Sequence, residues 1–182
     1  HPDGEVVEGF KGRYFRVNLK DADKEVKLLF APGKYYMKSD EFRETYGSTI
    51  GAFVIEALNA MKEEDRAKVQ IFIQGSADIV GSASFRGNLD EEYRFTDINV
   101  LPLNESGSGF NGNSSYITIP EKNFRNSDLP NLRGQFLKEM IRIYSKKLTP
   151  ILLEGEVKKV TDKNERNAVI YLFIPDSLVK DQ

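Results

Sequence analysis

Apolar and polar positions alternate from Arg13 to Leu19, with Phe15, Val17 and Leu19 set against Tyr14, Arg16 and Asn18. A period of two is that of a half-buried strand. After a charged turn, Lys20–Lys24, a second strand is expected over Glu25–Phe30, stopped by Ala31-Pro32-Gly33. The period then changes. Phe42, Tyr46, Ile50, Phe53, Ala57 and Met61 recur at spacings of three and four, the inward face of an amphipathic helix. Ser39 is placed to cap it, with Asp40 and Glu41 in its first turn. A charged connection, Lys62–Lys68, leads to a strand at 69–74, where Val69, Ile71 and Ile73 share one side. That strand ends in Gly75-Ser76-Ala77-Asp78.

Residues 82–125 differ in character. Tyr93–Leu103 and Tyr116–Ile119 read as strands around a Gly/Ser/Asn-rich stretch, Asn104–Ser115. This is a long hairpin with a flexible tip, expected to be an insertion whose removal leaves a folded domain. The tip contains Gly107-Ser108-Gly109-Phe110-Asn111-Gly112, but a β-rich segment follows where a nucleotide-binding loop requires a helix. A second helix begins near Asp128-Leu129-Pro130, with Leu129, Leu132, Phe136, Met140, Ile143 and Tyr144 as its apolar stripe and Lys138 and Arg142 on the solvent side. Ile151–Val157 is a strand, Asp162–Arg166 a polar turn, and Ala168–Ile174 a nearly continuous apolar strand, hence central. The order is ββ-α-β-(hairpin)-α-β-β, an α+β two-layer sandwich with its helices on one sheet face.

One residue breaks this pattern. At about 100° per residue Arg133 falls inside the apolar arc of the second helix, in its first turn. A cation there opposes the helix dipole and carries a desolvation cost. It needs an anion, and Asp78 at the end of a buried strand is the natural partner. The pair is the best clue to function, and its plain alternative is a structural ion pair bridging strand and helix.

Composition narrows the chemistry. The 182 residues carry a net charge of −2 with no broad basic field, which argues against nucleic acid. There are no cysteines, and the single histidine is His1, so disulfides, thiolate catalysis and histidine-based general base or zinc chemistry lose their usual residues. No cofactor and no catalysis are expected. The acids Asp90, Glu91, Glu92, Asp97 and Glu105 lack the spacing of a calcium loop and read as a solvated face. No run of 18 apolar residues exists. The start at His1-Pro2-Asp3-Gly4 reads as a cut from a longer protein, so a membrane connection would run through a segment absent from this chain.

Four segments, in order, resemble the OmpA-like domain family, which includes the C-terminal domain of outer-membrane protein A, the peptidoglycan-associated lipoprotein and the stator protein MotB. Leu28-Leu29-Phe30-Ala31-Pro32-Gly33 resembles the first family strand, and Val69 to Asp78 the second, with its Gly-x-x-Asp ending. Asn126 to Gly134 resembles the Asn-x-x-Leu-Ser-x-x-Arg-Ala helix start, and Glu165 to Ile170 the closing Asn-Arg-Arg-Val strand. The resemblance implies one domain over 1–182, with an N-terminal extension and strand at 1–25 and the hairpin inserted at 82–125. It implies a periplasmic protein of the bacterial cell envelope that binds the peptidoglycan stem peptide. Asp78 and Arg133 would grip the diaminopimelate residue, with Asn126 and Arg166 beside them. Ala77 replaces a frequent Thr, Pro130 replaces the capping Ser, and 133 − 78 = 55 positions separate the pair where the family has a short loop. The alternative is a divergent module that has lost peptidoglycan binding and meets a protein partner through the hairpin.

Overall fold

The computed structural model describes residues 14–62 and 69–174. The lead-in before Arg13 and most of the charged connection 62–68 lie outside the described residues. The elements are β1 (Lys24–Leu29), α1 (Ser39–Ala60), β2 (Gln70–Ala77), β3 (Asp97–Val100), β4 (Ser115–Thr118), α2 (Leu129–Tyr144), β5 (Ile151–Val157) and β6 (Asn167–Phe173). The strands β1, β6, β2 and β5 form one mixed sheet in that spatial order, and β3 and β4 pair separately. Strand β6 is antiparallel to both its neighbours, while β2 and β5 run parallel. The result is an α+β two-layer domain with two helices against a mixed sheet.

The apolar run of β6 is interior because both sheet faces are covered. Ala168, Ile170 and Leu172 join the main core with Phe42, Ile50, Phe53, Leu132 and Phe136 of the helices. Phe173 turns to a smaller cluster on the other face, with Phe15, Phe72, Leu101, Phe110 and Leu153. The extra N-terminal strand does not form. Phe15 makes a single bridge to Phe110 and a short 3-10 turn follows at Leu19–Asp21. The alternation still reflects packing, since Phe15 is buried in the smaller cluster with Val17 and Leu19 against it, while among the described residues β1 pairs with β6 alone.

Both helices depart from expectation at their ends. Ser39 is the first helical residue of α1, and Lys38 stands at the cap position without a side-chain bond. The Asp128 carboxylate accepts from the Arg125 N–H at 2.8 Å rather than capping α2. Ile143 is 74 % exposed and Tyr144 40 %, while Leu137 and Ile141 are buried in their place. The buried arc of α2 is therefore rotated from the expected stripe at its C-terminal end and includes Arg133 throughout.

The hairpin is not a detached appendage. Ile98, Val100, Ile119 and Phe124 are buried in the main core. Past β3, Leu101 bridges Leu153 of β5 and exchanges bonds with it: its N–H donates to the Leu152 carbonyl at 2.9 Å and its carbonyl accepts from the Glu154 N–H at 3.0 Å. Residues 82–125 thus supply core and cover part of the sheet edge. Among the described residues no helix is long and apolar enough to cross a membrane.

Candidate functional site

The site forms where α2 crosses the C-terminal end of β2. The crossing is close because three glycines permit it. A Cβ on Gly75 would lie 1.8 Å from the Pro130 carbonyl oxygen, and one on Gly155 would lie 2.5 Å from the Pro130 ring. A Cβ on Gly134 would meet Leu152 at 2.5 Å. The first turn of α2 therefore rests on the backbone of β2 and β5, and Arg133 is pressed against the strand end.

Arg133 is 1 % exposed. Its Nε donates to the Lys34 carbonyl at 2.8 Å, and one terminal nitrogen donates to the Ser76 carbonyl at 2.9 Å. Its guanidinium lies 5.5 Å from the centre of the Phe30 ring, a cation–π distance. Burial lowers its pKa from 12.5 to about 10, against the opposing pull of Asp78, with Arg166 adding a like-charge push. The cation in the apolar arc is thus held first by carbonyl dipoles.

The direct partner of Asp78 is Arg166. Nε of Arg166 donates to Asp78 Oδ2 at 3.1 Å and a terminal nitrogen reaches the same oxygen at 3.0 Å. Sheet register is the reason. Gly75 of β2 pairs with Ala168 of β6, and in an antiparallel ladder two steps further place residue 166 beside the end of β2. Both contacts end on Oδ2, and no bond to Oδ1 is found among the described residues. Asn126, 4 % exposed, donates from Nδ2 to the Asp78 carbonyl at 3.1 Å and to Ser82 Oγ at 3.4 Å. It fastens the turn before α2 to the strand end that carries Asp78.

Asp78, Asn126, Arg133 and Arg166 line one cavity of about 330 Å³, with Pro32, Gly33, Val80, Gly81, Ser84, Phe85 and Leu129. Sequence reasoning picked out the four polar groups and missed the wall formed by Gly81, Ser84 and Phe85. The helix N-terminus contributes less than its position promises, since Pro130 has no N–H and the Leu129 N–H is taken by the Asn126 carbonyl. A larger cavity, about 670 Å³, opens on the other sheet face between Gln74, Phe110 and Lys158. No cluster of metal-ligating side chains is present among the described residues.

Chemically, the lining of the first cavity includes one carboxylate, Asp78, and two arginines, Arg166 bonded to it and Arg133. That set suits a ligand bearing an ammonium and a carboxylate close together. No protein-family model matches the chain, and neither does any curated protein or solved structure.

Proposed function

We propose that the chain is a divergent OmpA-like domain that holds the peptidoglycan stem peptide non-covalently, tethering a membrane or envelope complex to the cell wall from the periplasm. The observation that carries this reading is the half-engaged carboxylate of Asp78. It is 4 % exposed, faces a cavity, and commits only Oδ2 to Arg166. Oδ1 is left to water or to a ligand in the cavity that Asp78 lines.

Two further facts support it. The order β1-α1-β2-(β3-β4)-α2-β5-β6 is the order expected from the hydrophobic pattern apart from its extra N-terminal strand, and the four family-like segments fall on β1, β2, the start of α2 and β6. The four residues those segments select share one cavity although they come from three separate stretches of chain. In this reading the diaminopimelate ammonium meets Asp78 Oδ1. Its neighbouring carboxylate meets Arg166 and the face of Arg133 that borders the cavity. Arg166 is the adaptable member, with a side chain 17 % exposed. Binding is an exchange of partners around Asp78 and includes no bond-making step.

Asp78→Asn tests this directly. The amide keeps the shape and one acceptor for Arg166 but removes the charge that holds an ammonium. Sedimentation with purified peptidoglycan should show the variant retained at least roughly 30-fold more weakly, a loss of about 2 kcal/mol. Equal retention of variant and wild type would overturn the assignment. A second reading, docking of a protein partner through the hairpin, is favoured by Tyr116, 71 % exposed on β4, which among the described residues pairs with β3 alone. In that case Tyr116→Ala rather than Asp78→Asn disrupts function.

A further inference from the structure

The Asp78 cavity does not end at Phe85. A second cavity of about 400 Å³ adjoins it, lined by Tyr35, Tyr36, Arg86, Asn88, Asp90 and Phe124. The two share Pro32, Gly33 and Phe85. The Phe85 ring is the divider. It lies 3.2 Å from where a Gly33 Cβ would stand, and it packs edge-on to Phe124 with ring centres 5.7 Å apart.

One wall of the second chamber is extended backbone. The Gly87 N–H donates to the Phe124 carbonyl at 2.9 Å and the Phe124 N–H returns the bond at 2.8 Å. The Leu89 N–H donates to the Glu121 carbonyl at 2.8 Å. In such a ladder alternate residues face opposite ways, so the N–H and carbonyl of Asn88 are turned from the 121–124 segment. No hydrogen bond to either is found among the described residues. An unpaired extended edge beside a cavity is the template for strand addition. Tyr35 stiffens the chamber: its hydroxyl donates to the Tyr93 carbonyl at 2.6 Å and accepts from the Asp90 N–H at 2.8 Å.

We infer that the two chambers form one peptide site, in which the Asp78 chamber takes the zwitterionic side-chain end of a diamino acid and the Asn88 edge pairs with the main chain of the peptide that carries it. This rests on the peptidoglycan reading for its ligand, and the resulting specificity is for the diamino acid within a peptide over the free amino acid. The adjacency of the two cavities, which share Pro32, Gly33 and Phe85, favours as occupant of the second the peptide that carries the diamino acid.

The test is calorimetric titration of the full chain with three probes: free diaminopimelate, a stem tripeptide containing it, and the same tripeptide N-methylated at its main-chain amides. The tripeptide should bind about tenfold tighter than free diaminopimelate, the yield of two ordinary edge hydrogen bonds. N-methylation should abolish that gain. Asn88→Pro, which deletes the edge N–H, should abolish it too while leaving free diaminopimelate unaffected. The methylated probe keeps the test valid if the proline variant folds poorly. Free diaminopimelate bound as tightly as both tripeptides would overturn the second chamber alone. No binding of any probe would overturn it together with the peptidoglycan reading.

Discussion

Arg133 shows how a residue that violates the pattern acquires its environment. Two backbone carbonyls and the Phe30 ring receive it, and burial still pulls its pKa down to about 10. Replacing it by methionine removes the buried charge but strands the Lys34 and Ser76 carbonyls. The expected loss is about 3 kcal/mol in urea unfolding, the range for breaking a buried polar set from one side. A neutral outcome would show that water reaches those carbonyls. Tyr35 makes a second prediction at this scale. Burial raises its pKa from 10.0 to about 12. The unfolded phenol loses its proton first, so between pH 10 and 12 the unfolded state binds fewer protons and stability falls with rising pH. Its contribution is whole below pH 10, and Tyr35→Phe should flatten that part of the alkaline unfolding curve. Tyr171, also raised to about 12 by burial, leaves a residual slope. An unchanged alkaline slope in Tyr35→Phe would mean its phenol titrates alike in both states.

Periodicity made several elements legible, and register decided what periodicity could not. The α1 face from Phe42 to Ala57 and the central place of β6 follow from spacing and from an apolar run. Arg133 stood out because its angle on α2 is a local property. The pairing of Asp78 with Arg166 instead follows from how β2 aligns with β6, which no local pattern carries. The same holds for the strand-like alternation up to Leu19, where among the described residues the one backbone bridge is Phe15 to Phe110. Close approach of α2 to β2 was also hidden, since Gly75 reads as a strand terminator until Pro130 is placed above it. Gly75→Ala should therefore cost about 3 kcal/mol or more, because the new methyl meets a backbone carbonyl that cannot step aside. Gly107→Ala, with open space and a φ of +71°, should cost only about 1 kcal/mol of backbone strain. Equal costs for the two, measured by urea unfolding, would remove the glycine contact as the feature that positions Arg133.

For the whole molecule, the hairpin changes from an insertion in sequence to a part of the core in space. Ile98 is fully buried, and Val100, Ile119 and Phe124 are each 1 % exposed. Ile98→Ala should lose about 2–5 kcal/mol, the cost of a cavity in a packed interior. Deleting 86–123 should abolish cooperative thermal unfolding, contrary to the expectation that two β-rich runs around a Gly/Ser/Asn tip suggest. A cooperative transition in that deletion would show that β1, α1, β2, α2, β5 and β6 suffice. The hairpin segment also supplies Phe85 and Asn88, so core and candidate site depend on the same stretch of chain.

In the proposed site a carboxylate and two guanidinium groups around one cavity select a zwitterionic side chain. Titration of the wild-type chain with two stem peptides, identical except for diaminopimelate or lysine at one position, tests it most directly. Both peptides offer Asp78 an ammonium, but only the first offers Arg166 and Arg133 a carboxylate. The diaminopimelate peptide should bind at least roughly 30-fold tighter, about 2 kcal/mol for a charge-assisted contact in a mostly buried site. Equal affinity for the two peptides, or binding of neither, would contradict it.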